Sequence, residues 1–128
     1  MKEIKQYDFA NCKNLRTLEI PEAVTTVSMS AFSGTKLKKI TLPKNVTTIK
    51  KGLSYRGKVF AVNYDFELPT KNLRLIEIKS KKVKSIAKDS FSGLSSKVVI
   101  KVPKSRKKKY TKMLRESGLE KKVKIRTL

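Results

Sequence analysis

Apolar residues return along this chain at a fixed interval. Leu15, Leu18, Ile20, Val24 and Val27 reappear 22 residues later as Leu37, Ile40, Leu42, Val46 and Ile49. Pro21 reappears as Pro43, and Phe9 as Phe32, so the period is 22 to 23 residues. A third copy keeps the spacing in Leu73, Ile76 and Ile78, with Val83 and Ile86 following one residue late. A fourth begins at Ile86, repeats the Phe-Ser-Gly of 32–34 at 91–93, and ends in Val98-Val99-Ile100-Lys101-Val102-Pro103. Self-similarity at such a period is the mark of stacked structural units.

Each unit reads as short strands joined by turns. Leu18 and Ile20 lie two apart and share one face of a strand, with Thr17 and Glu19 on the other. The proline that follows cannot continue a ladder and ends the strand. Val24–Val27 reads as a second short extended piece, and the Phe segment turns the chain back. One such coil cannot bury its own apolar edge, whereas stacked coils share a continuous core. Stacking would set outward residues in columns: Thr17, Lys39, Leu75, Val99 in one, and Glu19, Thr41, Glu77, Lys101 in the other.

The period breaks after Pro103. In 104–118, Tyr110, Met113 and Leu114 fall at i, i+3 and i+4, one apolar stripe of a helix, and Gly118 is a natural stop. Val123-Lys124-Ile125 predicts a last strand. The expected architecture is an α/β repeat solenoid, with repeats over 1–103, an insertion at 54–71, and a basic helix-plus-strand cap over 104–128.

Charge adds a second theme. There are 32 Lys and Arg against 10 Asp and Glu, a net charge of +22. In 97–128, 13 basic residues face only Glu116 and Glu120. Such a balance attracts polyanions through long-range steering. The candidate polyanion-binding residues are Lys104, Arg106, Lys107, Lys108, Lys109, Lys112 and Arg115. The alternative is a solvated face of a lysine-rich protein, favoured by the dominance of Lys over Arg, since bidentate anion recognition prefers Arg.

Catalytic chemistry has little material. With no His, triads, His bases and His-ligated metals are excluded. The one Cys, Cys12, has no partner for an intrachain disulfide or a zinc cluster, and reads as a small buried hydrophobe. No glycine-rich phosphate loop, paired carboxylates or nucleophile elbow appears. No cofactor or metal is expected. No apolar run approaches the length of a membrane span, so no membrane insertion is expected. The N-terminus lacks the apolar core of a signal peptide.

The motif Ala31-Phe32-Ser33-Gly34, Leu37-Lys38-Lys39-Ile40-Thr41-Leu42-Pro43, Val46-Thr47-Thr48-Ile49 strongly resembles the BspA-type leucine-rich repeats of bacterial surface proteins. The Ala-Phe element is altered to Asp8-Phe9 and Ser90-Phe91 in other copies. The family's Cys position survives only as Cys12, with Thr35 in its place in the second copy. The resemblance covers 4–49 and 73–103 well and the tail more loosely, while 54–71 departs from it. It implies short parallel strands with irregular returns, and a non-catalytic extracellular or cell-surface module that binds protein or glycan. It carries over no catalytic residue.

Binding candidates follow from placement. Leu75 and Val99 would be neighbours on the outward face, a small apolar patch for protein contact. In the insertion, Tyr55, Tyr64 and Phe66 stand near Arg56 and Lys58, as a recognition surface or as an eroded repeat still packed in the core. The first repeat shows no N-terminal cap, so end-to-end self-association or membership of a longer chain is expected. A nucleic-acid-binding protein is the rival class, although no RNA-binding aromatic motif or helix-turn-helix appears.

Overall fold

The structure is a computed structural model that describes residues 3–4, 16–32, 35–51, 54–55, 58–59, 72–91 and 94–128. Among the described residues, ten strands alternate with short turns and one α-helix. They are β1 (Glu3–Ile4), β2 (Thr26–Ser28), β3 (Lys39–Leu42), β4 (Thr48–Lys50), β5 (Ser54–Tyr55), β6 (Lys58–Val59), β7 (Leu75–Ile78), β8 (Ser85–Ile86), β9 (Val99–Val102) and β10 (Lys124–Thr127). The helix α1 spans Lys107–Glu116, entered through a 3-10 turn at Lys104–Arg106.

Among the described residues, eight strands form two parallel sheets, ordered β1-β2-β4-β8 and β3-β7-β9-β10, in which successive repeats contribute neighbouring strands, while β5 pairs with β6. Register follows the repeat. Ile40 pairs with Ile76, and Ile76 with Ile100, while Val27 pairs with Ile49, and Ile49 with Ile86. In β3, β7 and β9 the residues alternate outward and buried, as a period of two requires. Ile40, Leu42, Ile76, Ile78, Ile100 and Val102 point inward to meet Val27 and Ile49 of the other sheet in one hydrophobic core. Tyr110, Leu114, Leu119 and Val123 join that same core, so the C-terminal segment shares it with the repeats.

The turns show why the repeat holds its shape. After Pro21 and Pro43, the amides of Val24 and Val46 donate back to the proline carbonyls at 3.1 and 3.3 Å. The Phe element is a 3-10 turn at Met29–Phe32, with Ala31 and Phe32 fully buried. Thr35, at the family's Cys position, is also buried and donates its hydroxyl to the Phe32 carbonyl at 2.8 Å. Cys12 lies outside the described residues.

The helix ends as its sequence predicts. Gly118 takes φ +105°, the Gly118 amide donates to Arg115 O, and the Leu119 amide donates to Leu114 O. That is the paired closure of a helix end with a left-handed residue just past it, and the apolar pair Leu114 and Leu119 is buried beneath it. Asp89, itself left-handed at φ 62°, donates its amide to the Ser117 carbonyl at 2.7 Å and ties the fourth repeat's turn to the helix end.

One expectation needs correction. Residues 16–20 match β3 in sequence, but among the described residues no backbone hydrogen bond joins them to it. Leu18 and Ile20 are held by packing on the core, and a groove of about 550 Å³ opens between this segment and β3. Thr17 and Glu19 line that groove and do not head the outward columns. In the insertion, β5 and β6 form a short antiparallel pair, and residues 60–71 lie outside the described residues.

Candidate functional site

The outward face of the sheet β3-β7-β9-β10 is built by register. Lys39, Leu75, Val99 and Lys124 form one column. Thr41, Glu77, Lys101 and Arg126 form the other. Leu75 and Val99 are therefore direct neighbours and both partly exposed. Lys124 and Arg126 extend the columns through β10, a register that the alternation of 123–125 alone did not reveal. Glu77, the only acid in the two columns, is satisfied internally. It pairs with Lys39 Nζ at 3.0 Å and accepts the Thr41 hydroxyl at 3.0 Å. The cations Lys101, Lys124 and Arg126 thus border the apolar pair on the C-terminal side.

Burial alone would raise the Glu77 carboxyl. The hydrogen bonds from Lys39 and Thr41, with the charges of Lys39 and Lys79, outweigh it and hold the group below its ordinary 4.5. A carboxyl depressed in the folded state adds stability above the unfolded pKa and loses it as pH falls through the lower, folded value. Lys39 is more than half exposed, so the contribution is no more than about 1 kcal/mol. Stability measured by urea denaturation should fall on acidification below pH ~4.5, and Glu77→Gln should reduce that fall. An unchanged acid profile in Glu77→Gln would show that the pair contributes nothing.

The basic C-terminal segment holds a second arrangement, which grows from the irregular third repeat. Ile78 and Val83 are separated by one residue more than Leu42 and Val46. The Val83 amide therefore lacks the turn carbonyl that Val24 and Val46 use. Tyr110 takes over both sides of the gap: its hydroxyl accepts the Val83 amide at 3.0 Å and donates to the Ser80 carbonyl at 2.8 Å. The Ser80 hydroxyl reaches back to Val46 O and accepts the Lys82 amide. Arg106 Nε donates to Lys81 O at 3.1 Å. The 80–83 turn is thus clamped to the start of α1. Between them lies a groove of about 540 Å³.

The polyanion candidates are divided by this geometry. Arg106 and Lys109 line the groove, and Lys104 lines a neighbouring concavity with Lys79 and Lys81. Lys107 and Lys108 are exposed on the helix. Lys112 faces Glu116 at 3.9 Å, and both are well exposed. Arg115 is committed elsewhere: its guanidinium donates to the Glu120 and Val123 carbonyls and holds the turn before β10. Lys81, Lys82 and Lys84, absent from the sequence-derived set, face Arg106 and Lys109 across the groove. Their one signal in the sequence was the late Val83, which lengthens the turn that carries them.

Tyr55 lies in β5, while Tyr64 and Phe66 lie outside the described residues. Among the described residues, no group of three or more His, Cys, Asp or Glu could hold a metal, and no helix is long and apolar enough to cross a membrane. Neither a curated protein nor a solved structure matches the chain. A family model does, described as "BspA type Leucine rich repeat region (6 copies)", over residues 1–58 and 62–127. The match runs through the C-terminal segment and most of 54–71, further than the quoted motifs reach. Repeating strands in two parallel sheets and a family match over nearly the whole length agree: this chain belongs to the BspA-type leucine-rich repeat family.

Proposed function

We propose that the chain is a non-catalytic interaction module, displayed on a cell surface or secreted, that binds a protein through the outward face of β3-β7-β9-β10. In this reading the repeats form a solenoid, α1 and β10 close its C-terminal end, and the N-terminal edge at β1 is open to a further copy or further repeats. The observation that carries the reading is the Leu75–Val99 pair, fixed side by side by register and bordered by Lys101, Lys124 and Arg126. A compact apolar centre with a charged rim is the anatomy of a protein-contact surface, and the rim's sign favours a partner with acidic residues around an apolar anchor.

The test is Leu75→Thr with Val99→Thr, which places β-branched, strand-compatible side chains at both positions while removing the apolar centre. Binding to a panel of extracellular proteins is measured by surface plasmon resonance, with thermal unfolding as the folding control. A protein that binds the wild type and loses about tenfold or more in affinity to the double variant supports the face, as expected for central contact residues. Binders indifferent to both substitutions would place the contact elsewhere.

A further inference from the structure

We propose that the groove between the 81–84 turn and the start of α1 binds a linear anionic glycan, one that carries sulfate or carboxylate groups along its chain. This site is separate from the sheet face proposed for protein contact.

Five cations converge on the groove: Lys81, Lys82 and Lys84 from the turn, Arg106 and Lys109 from the helix. No carboxylate lines it, and none of the four ion pairs among the described residues uses any of the five. Like charges gathered in one concavity repel each other and focus a positive potential, which an anion relieves. Their placement is built rather than incidental. Tyr110 fixes the turn to the helix, Arg106 is seated on Lys81 O, and Lys82 Nζ rests on Asn45 Oδ1 at 3.1 Å. Two of the five charges, on Lys82 and Arg106, are therefore held in place before a ligand arrives, which lowers the ordering cost of binding.

The surroundings indicate a chain and not a single ion. On one side, the groove shares Lys81 and Ser105 with the concavity that holds Lys79 and Lys104. On the other, it shares Lys84 with a concavity that runs along α1 past Lys88 to Met113 and Glu116. Together they make a track along the flank of the helix in which Lys and Arg far outnumber the one carboxylate, Glu116. Its chemistry fits a glycan better than a nucleic acid. No aromatic residue lines the three concavities, so bases have no platform on which to stack.

The test compares two variants of equal charge. Lys81→Gln, Lys84→Gln and Lys109→Gln together neutralise exposed groove residues that make no side-chain bond in the structure. Lys36→Gln, Lys50→Gln and Lys97→Gln neutralise exposed lysines elsewhere. The probes are a heparin decasaccharide and a single-stranded DNA of matched charge, titrated calorimetrically at low and physiological salt. The expected result is heparin binding that persists at physiological salt, falls about tenfold or more in the groove variant with a shallower salt slope, and is nearly unchanged in the control. The Leu75→Thr, Val99→Thr protein should bind heparin as the wild type does, which separates this site from the sheet face. Equal losses in the two lysine variants, binding that vanishes at physiological salt, or DNA binding as tight as heparin's would each overturn the proposal.

Discussion

Tyr110→Phe is expected to destabilise the protein by about 2–3 kcal/mol, although it removes a single oxygen. The hydroxyl serves two buried backbone groups at once, the Val83 amide and the Ser80 carbonyl. Both residues are essentially inaccessible, at 2% and 0% exposure, so water cannot replace it without opening the turn. A buried polar group left without its partner costs about 1–3 kcal/mol. Tyr110→Ala adds the cavity of a fully buried ring and should reach about 4–5 kcal/mol. For a chain of this size that means a fall of roughly 10 °C in Tm for Phe and more for Ala. A Phe variant within about 0.5 kcal/mol of wild type would show that the turn finds other partners.

The same residue predicts an alkaline signature. Burial raises the phenol above its ordinary 10.0, while the Val83 amide and the Arg106 charge oppose that rise. With the folded pKa raised, the unfolded chain ionises first. The stability that depends on the neutral phenol is fully present below pH ~10 and drains as pH climbs through the folded value. The two proteins differ in no other titratable group, so the comparison isolates the tyrosine. The stability difference between wild type and Tyr110→Phe should narrow above pH ~10, and a constant difference would contradict the assignment.

Tyr110 also marks the boundary of what the sequence made legible. Its place in an apolar helical stripe was readable from the spacing of Tyr110, Met113 and Leu114, and its burial follows. Its hydroxyl chemistry was not, because that depends on a turn 30 residues upstream made irregular by one extra residue. The repeat core was legible for a simple reason. Every coil meets the same environment, so Ile40, Ile76 and Ile100 must satisfy the same constraint, and the period exposes it. Sites that arise where the period fails carry no such redundancy. The 80–84 turn broke the register visibly at Val83, yet only the fold brings Lys81, Lys82 and Lys84 opposite Arg106 and Lys109. Composition treats all basic residues of the tail alike, whereas the fold sets Arg115 to holding carbonyls and Lys109 to facing a groove. Arg16–Ile20 shows the opposite error. Matching apolar positions predicted a strand, but a ladder also needs backbone pairing, and among the described residues the pairing in that sheet stops at β3.

Ile76→Ala should be the most informative change in the repeat core, with an expected cost of about 3–4 kcal/mol in chemical denaturation. Ile76 is fully buried in β7, between Ile40 of β3 and Ile100 of β9. Truncating it removes contacts on both sides, and neighbours hydrogen-bonded in a parallel ladder cannot close the gap without breaking register. Ile125 offers the comparison. It occupies the same column in β10, pairs only with Ile100, and is partly exposed, so Ile125→Ala should cost about 1 kcal/mol, a fraction set by its exposure. The shape of the unfolding curve matters as much as its midpoint. In a stack held by nearest-neighbour contacts, weakening a central rung lowers the coupling between the two ends. If the end that carries α1 and the N-terminal strands still unfold together, the curve shifts with its slope unchanged. If Ile76→Ala splits it into two transitions, the shared core is two half-stacks joined through β7. The clamp at Tyr110, which ties the third repeat's turn to the helix, would then belong to the C-terminal half, and Tyr110→Phe would shift only the transition of that half.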